Sequence, residues 1–378
     1  MRLRQLFESA DQKKLDNIEM ILQMTDNDDL IKAAERAAGN MQTGEDVSNK
    51  QARIAAIMAA LENSNDSSQL DYIESALKKA EINDRVDRIW NSRNFNTGRM
   101  SKYKGAFRDL MLHTNTSLKS KIQFMYMVAT NSKAIPASAF ASSFAGTIDD
   151  VVPSAVANND TYQAIKDTIM FNDAFRGKGI GPAEFGLALL GKNGDIVDHA
   201  GDVMIDGHGV EIKGGGGGSI KTGSPNSFRA SDDLRAWIGQ QVGVELNRTN
   251  KLKWEKPNEF IDRFRALDTG KRTALAKEYV TKLYPAMDSS DQQSLVNGIV
   301  ADAGSPEVKV HFGRALLNSY KKQDEWNSIL FISPNGRMTN VVDASDAGLL
   351  DFALAGTNRD GDTQALPDGY INGKIRRK

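Results

Sequence analysis

The chain of 378 residues contains no cysteine, only four histidines and no long apolar run. The lack of cysteine excludes disulfides and thiolate zinc sites, and the scarcity of histidine argues against a histidine-based metal site. No apolar run approaches the roughly 18 residues needed to cross a membrane, and the N-terminus lacks the apolar core of a signal peptide. We therefore expect a cytoplasmic protein without a membrane partner.

The net charge of −1 conceals a basic stretch. Residues 93–133 contain eight basic residues and one acidic residue, whereas residues 1–90 contain 12 basic and 17 acidic residues. A local excess of positive charge can bind phosphate groups even in a neutral protein. The stretch therefore predicts contacts to nucleic acid through Lys102, Lys104 and Arg108. Its aromatic residues either stack on bases or belong to a protein core; they are Phe95, Tyr103, Phe107, Phe124 and Tyr126.

The chain divides into a helical part and a mixed part. Residues 1–135 show the apolar periodicity that is typical of helices and are interpreted as a helical domain. Residues 136–175 lack clear periodicity and are interpreted as a connector. Residues 176–345 combine strand and helix patterns, and residues 346–378 are interpreted as a polar, loosely ordered tail. The fold class is therefore α/β, or α+β overall, with an all-helical N-terminal region.

A β-hairpin is the local pattern with the clearest consequence for function. Two runs of alternating apolar residues flank the segment Asp206-Gly-His-Gly209, which indicates a turn between two strands. Pairing Ile205 with Val210 around this turn gives one apolar face, toward a core, formed by Val203, Ile205, Val210 and Ile212. The opposite face, which we expect solvent to reach, carries Asp202, Met204, Glu211 and Lys213. We expect substitutions on that face to change stability little.

The polar face has the composition of a metal-dependent phosphodiesterase site. Asp202 and Glu211 can supply oxygen ligands to Mg²⁺ or Mn²⁺. Such an ion can polarise a phosphodiester and activate a bound water molecule, and Lys213 can stabilise the charge that develops on the phosphate. The alternative interpretation is a surface ion-pair ladder opposite a core face.

The segment Asp202, a short gap and then Glu211-Ile212-Lys213 resembles the signature of a known nuclease superfamily. This is the restriction-endonuclease-like superfamily, also written PD-(D/E)xK. The resemblance covers roughly residues 176–250 and a later strand near 328–333, and it departs from the pattern in having Gly201 instead of proline before the acid. It implies an αβββαβ core with extra helices, and a further glutamate on the helix before the sheet, at the position of Glu184.

The sequence thus predicts a Mg²⁺-dependent endonuclease that hydrolyses DNA phosphodiester bonds, with Asp202, Glu211, Lys213 and Glu184 as its catalytic residues. Lys221, which follows a run of glycines, is a further candidate contact to nucleic acid. The alternative is a non-catalytic structural or assembly protein, for example of a phage particle, that retains a nuclease-like fold. A phage-encoded protein would act in the host cytoplasm or in the virion.

Overall fold

The computed structural model of the protein contains two compact units, here named the helical unit and the sheet unit. The helical unit comprises Met1–Ala134 and Val152–Ile169, and the sheet unit comprises Ile135–Val151 and Met170–Lys378. The structure describes residues 2–39, 49–63, 66–177, 179–214, 218–219, 240–241, 243, 259–283, 287–302, 314, 317–318, 320–322, 324–343, 345–346, 350–354 and 373–377. Helices and sheets are both present, so the predicted mixed class is confirmed. No helix within these ranges has the combination of length and apolarity that a membrane span requires.

Several of the described helices begin after polar residues that cap them. In chain order they are α1 (Arg2–Met24), α2 (Asp28–Ala37), α3 (Lys50–Glu62), α4 (Ser67–Ser92), α5 (Lys104–His113), α6 (Leu118–Thr130), α7 (Ile148–Val151), α8 (Ser154–Ala157), α9 (Asp160–Phe171), α10 (Glu184–Leu190), α11 (Glu259–Ala266), α12 (Thr269–Leu283) and α13 (Ser289–Asp302). The side chains of Asn27, Asn49, Asp66 and Ser117 accept hydrogen bonds from backbone N–H groups in the first turns of α2, α3, α4 and α6. These N–H groups have no partner inside their own helix, so each cap stabilises a helix start.

The segment 136–175, interpreted from the sequence as a connector, is divided between the two units. Its first part supplies the strand Phe144–Thr147 to the sheet unit, and its later part forms α8 and most of α9 in the helical unit. Buried apolar side chains explain this placement, because Phe140, Tyr162 and Ile165 are fully enclosed. The elements before α9 are short and their apolar residues are spaced irregularly, which is why periodicity did not reveal them. The sequence of α9, in contrast, has the apolar spacing that is typical of a helix.

A six-stranded mixed sheet forms the centre of the sheet unit. Its strands, in chain order, are β1 (Phe144–Thr147), β2 (Asp195–Ile196), β3 (Val203–Ile205), β4 (His208–Gly214), β6 (Ser328–Ile332) and β7 (Arg337–Val341), with β5 (Gly218–Ser219) lying outside this sheet. The spatial order is β1-β7-β6-β4-β3-β2. The β4–β6 pair is parallel, and the other neighbours are antiparallel. A parallel pair needs a long crossover connection, and the chain between β4 and β6 contains α11, α12 and α13.

The predicted hairpin is present, but its register differs from the expected one by two residues. Val203 lies opposite Val210 and Ile205 lies opposite His208, so the turn consists of Asp206 and Gly207 alone. Both turn residues have positive φ, 48° and 82°, which is the backbone of a type I′ turn. Asp-Gly is a preferred sequence for this two-residue turn, and its twist matches that of the strands. The longer turn predicted from the sequence, with Ile205 opposite Val210, is therefore wrong.

Part of the predicted C-terminal tail is folded. The strands β8 (Leu350–Leu354) and β9 (Gly373–Arg377) pair antiparallel along their whole length, and β9 also pairs with β5. They form a three-stranded sheet in the order β5-β9-β8. Cross-strand pairing satisfies the backbone groups of these segments, which the polar composition of the tail did not indicate.

Candidate active site

Asp202, Glu211 and Lys213 are brought together at strand β4. The backbone N–H of Asp202 donates to the carbonyl of Val210 over 3.0 Å, so Asp202 continues the β3 side of the hairpin. Its carboxylate Oδ2 accepts a hydrogen bond of 2.8 Å from the backbone N–H of Ile212. Lys213 Nζ donates directly to Glu211 Oε1. A register change of two residues keeps every side chain on its face, so the predicted cluster survives the error in pairing.

Glu211 differs from the prediction in its exposure. Only 5% of the residue is accessible to solvent, and 7% of its side chain. Asp202 and Lys213 are half-buried, and 17% of the Lys213 side chain is exposed. The expectation of a solvent-reachable face is therefore wrong for Glu211. A carboxylate at this depth must be compensated by hydrogen bonds or an opposite charge, and Lys213 supplies both.

Tyr320 is the residue of this cluster that sequence reasoning missed. Its hydroxyl donates to Glu211 Oε1, the same oxygen that Lys213 contacts. Burial and the charge of Glu211 raise the pKa of the Tyr320 phenol far above its usual range, with a smaller contribution from Asp202. The phenol therefore stays protonated and donates to the carboxylate. Lys213 Nζ also lies 5.5 Å from the centre of the Tyr320 ring, within reach of a cation–π interaction.

Two glycines let Asp202 approach β4 closely. A Cβ at Gly209 would overlap the carbonyl oxygen of Ala200. A Cβ at Gly201 would lie 2.8 Å from the Val210 backbone, and Gly201 has φ of 104°, which other residues rarely adopt. The resembled pattern has proline before the acid, and proline cannot adopt this φ. The departure at Gly201 thus has a structural reason in this chain.

Glu184 is buried at the first residue of α10, with 4% of the residue exposed. Its Oε1 accepts a hydrogen bond from the backbone N–H of Gly181. The preceding Ala183 has φ of 69°, outside the helical range, so the helix begins at Glu184. Pro182 lies beside the end of β4, because a Cβ at Gly214 would be 3.4 Å from its Cγ. The turn before α10 therefore borders the strand that carries Glu211.

Asp202 and Glu211 are the two carboxylates of this cluster that could bind a metal ion. Within the described ranges, no three Asp, Glu or His side chains are grouped as they would be around a metal ion. Asp202, Glu211 and Glu184 therefore do not form a three-carboxylate group in this arrangement. Magnesium is commonly held by one or two carboxylates while keeping several waters, so Asp202 and Glu211 fit such an ion in number and in chemistry.

The predicted nucleic-acid residues lie in the helical unit, apart from Lys221, which is outside the described residues. Lys104 and Arg108 both contact Asp87 on α4, at 3.0 Å and 3.1 Å. Lys102 is exposed, and its Nζ lies 5.5 Å from the ring centre of Tyr103. Of the five aromatic residues in this stretch, four are buried and Tyr126 alone is exposed. Most of these aromatic residues therefore belong to the protein core and are not available to stack on bases.

No protein-family model, curated protein or solved structure matches this chain.

Proposed function

We propose that the chain is a metal-dependent nuclease that hydrolyses phosphodiester bonds in DNA. The observation that carries this proposal is the convergence of Asp202, Glu211 and Lys213 on strand β4, where the Asp202 carboxylate binds the Ile212 N–H and Lys213 binds Glu211. Two carboxylates and a lysine are the side chains that metal-assisted phosphodiester hydrolysis needs.

The order of the elements supports the proposal. Helix α10 is followed by the strands β2, β3 and β4, which pair antiparallel in that order. Helices α11–α13 come next in the chain, and they are followed by β6, which pairs parallel with β4. This order of elements supports the αβββαβ core that we propose from the resemblance. Glu211 and Lys213 lie on its third strand, opposite Ile329 and Phe331 of β6, and hence in the middle of the sheet.

Each residue has a distinct role in the proposed reaction. Asp202 and Glu211 would hold Mg²⁺ or Mn²⁺, which when bound polarises the phosphodiester and lowers the pKa of a coordinated water. Lys213 stabilises negative charge on the phosphate oxygens. Tyr320 orients the Glu211 carboxylate through its hydroxyl. Glu184 supports the turn beside β4 through Gly181.

A non-catalytic structural or assembly protein is the second candidate, and one observation favours it. Lys213 and Tyr320 already bind the Glu211 carboxylate in a buried cluster, an arrangement that stabilises a sheet without any metal. The two candidates differ in whether a divalent ion binds at Asp202 and Glu211.

The test is cleavage of supercoiled and linear DNA by the full chain with Mg²⁺, Mn²⁺ or EDTA. Glu211→Gln and Lys213→Ala should each lower the cleavage rate about 10²–10³-fold, the loss typical of one transition-state stabiliser. In calorimetric titrations, Glu211→Gln should weaken divalent-ion binding, whereas Lys213→Ala should leave it unchanged or tighter, because a like charge is removed from the site.

Two matched controls come from the same hairpin region. Asp206 and Lys192 form an ion pair of 2.8 Å at the turn, away from the cluster. Asp206→Asn and Lys192→Ala should therefore cut at the wild-type rate. If the wild-type protein neither binds a divalent ion nor cuts DNA, or if Glu211→Gln and Lys213→Ala cut normally, the nuclease assignment fails and the structural role is favoured.

A further inference from the structure

The helical unit contains a polar cavity of about 690 Å³ that the proposed nuclease site does not use. It lies among α4, α5 and α6, and its volume is within the range of small-molecule sites. Four basic side chains and one acidic side chain line it, together with a few apolar and neutral residues. The charged lining residues are Lys78, Lys79, Arg108, Asp109 and Lys121.

Lys121 is the distinctive residue of this cavity. Only 7% of it is exposed, and its Nζ is 3.4 Å from the carbonyl oxygen of Leu112. No carboxylate lies within ion-pair distance of Lys121 in the part of the chain that the structure describes. Burial lowers the pKa of Lys121, and the nearby charge of Lys78 lowers it further. A buried ammonium group without a counter-ion is costly, and an anion in the cavity would remove that cost.

The other cations of the cavity are only partly neutralised. Lys78 contacts Glu74 at 2.5 Å and Arg108 contacts Asp87 at 3.1 Å, but Lys79 forms no ion pair within the described ranges. The Nε of Arg108 is enclosed and has no hydrogen-bond partner there. Two largely buried cationic side chains, Lys121 and Arg108, therefore line the same cavity. Lys121 Nζ has only a long contact to a carbonyl oxygen, and Arg108 Nε has no acceptor among the described protein atoms.

We propose that this cavity binds the phosphate group of a phosphorylated small molecule, with Lys121 and Arg108 as direct contacts. A phosphate offers several acceptor oxygens and a negative charge, and it forms strong charge-assisted hydrogen bonds with both side-chain types. The cavity is much larger than a phosphate ion, so it has room for an organic group beside Ile82, Leu112 and Leu118. None of the lining residues belongs to the cluster of Asp202, Glu211 and Lys213, and Arg108 is shared with the DNA contacts proposed for the basic stretch.

The test is calorimetric titration of the full chain with inorganic phosphate, deoxyadenosine monophosphate and deoxyadenosine, at constant ionic strength maintained with chloride. Phosphate and the monophosphate should bind saturably, and deoxyadenosine should not. Lys121→Met should lower the affinity for both phosphate and the monophosphate at least 10-fold. Lys119→Met is the matched control, because Lys119 lies on the same helix, is exposed and does not line the cavity. It should bind as the wild type does.

A second readout does not depend on the variants. The ε-carbon resonance of Lys121 should report a higher pKa when phosphate is present, because an adjacent anion favours the charged form. Tighter binding of the monophosphate than of phosphate supports a phosphorylated organic ligand, whereas equal binding of the two contradicts it and identifies a site for the inorganic ion alone. The proposal is overturned if no saturable binding occurs, if all three compounds bind equally, or if Lys121→Met binds as Lys119→Met does.

Discussion

Glu211 is a charged residue in the interior of a sheet, and its partners determine what its substitution should cost. With 5% of the residue exposed, the carboxylate depends on Lys213 and Tyr320 for its polar contacts. Burial of Glu211 removes the reason for expecting that a substitution here changes stability little, and we expect a loss instead. Removing one partner of a buried polar pair leaves the other group insufficiently compensated, at a cost of about 1–3 kcal/mol. Loss of activity in Glu211→Gln must consequently be separated from loss of fold.

Tyr320→Phe tests the hydroxyl that holds Glu211. We expect the free energy of unfolding to fall by about 1–3 kcal/mol, because a buried carboxylate loses a donor while the ring packing against Trp326 is kept. Under the nuclease proposal, divalent-ion affinity should also fall, by roughly 10–100-fold, as is usual when a residue that orients a ligand is removed. Urea denaturation and calorimetry measure the two effects. Tyr126→Phe, at an exposed tyrosine, should change neither.

His208 should make stability depend on pH. Burial lowers the pKa of the imidazole below its ordinary value of 6.5, and the charge of Lys321 lowers it further. Between the folded-state pKa and 6.5, the unfolded chain binds more protons than the folded chain, so stability decreases as pH falls through that window. His208→Gln can retain the contact that Nε2 makes with Ser328 Oγ at 3.1 Å, and it cannot titrate. Urea denaturation should show a shallower decrease from pH 6.5 downward in His208→Gln, and parallel curves would contradict this assignment.

At the scale of the element, periodicity predicted the hairpin faces better than its register. Val203, Ile205, Val210 and Ile212 alternate along the two strands, and a shift of the strand pairing by two residues keeps each side chain on the same face. All four are therefore expected in the core, and all four are buried. The length of the turn determines which of these registers forms. The correct register follows only if Asp206-Gly207 is recognised as a two-residue type I′ turn. The start of α10 shows the same limit, because the positive φ of Ala183 is not indicated by its residue type.

Gly209→Ala should disrupt the packing of this hairpin. Gly209 does not have a positive φ, so alanine is compatible with the backbone, but its Cβ would overlap the Ala200 carbonyl oxygen. We expect a loss of roughly 1–3 kcal/mol, typical of overpacking, and a displacement of the loop that positions Asp202. The matched control is Gly207→Asn, at a turn position with φ of 82° and no atom within 4 Å of a Cβ. Asparagine tolerates positive φ, so the control should lose less. An equal loss in both variants, measured by urea denaturation, would contradict the steric explanation.

At the scale of the whole molecule, the sequence did not indicate the long-range contacts. Tyr320 contacts Glu211 across 109 positions of sequence, and Asn340 donates to the carbonyl of Phe140 across 200. Such contacts depend on the parallel β4–β6 pairing and on the β1–β7 pairing. Local patterns carry no information about which distant strand will be the neighbour, so the contact of Tyr320 with Glu211 could not be predicted.

The basic stretch of the helical unit should bind DNA, under the nuclease proposal, through phosphate contacts and not through base stacking. Its aromatic residues are mostly buried, whereas Lys102 is exposed and Lys104 and Arg108 are about one-third exposed beside Asp87. Changing Lys102, Lys104 and Arg108 together to glutamine should lower DNA affinity and flatten its dependence on salt. On double-stranded DNA, the logarithmic salt slope should decrease by about 0.9 for each phosphate group that the variant no longer neutralises.

The control for this prediction must remove equal charge elsewhere. Arg265, Lys271 and Lys277 are exposed on α11 and α12, and their replacement by glutamine changes the net charge by the same amount. The ion pairs of Lys104 and Arg108 with Asp87 are partly exposed, so removing them should cost little stability. Both triple variants should therefore remain folded.

If the two variants show the same salt slope in fluorescence-anisotropy titrations of labelled DNA, the effect is one of net charge, and the basic stretch is a solvated face. A slope reduced only in the first variant assigns the phosphate contacts to the helical unit.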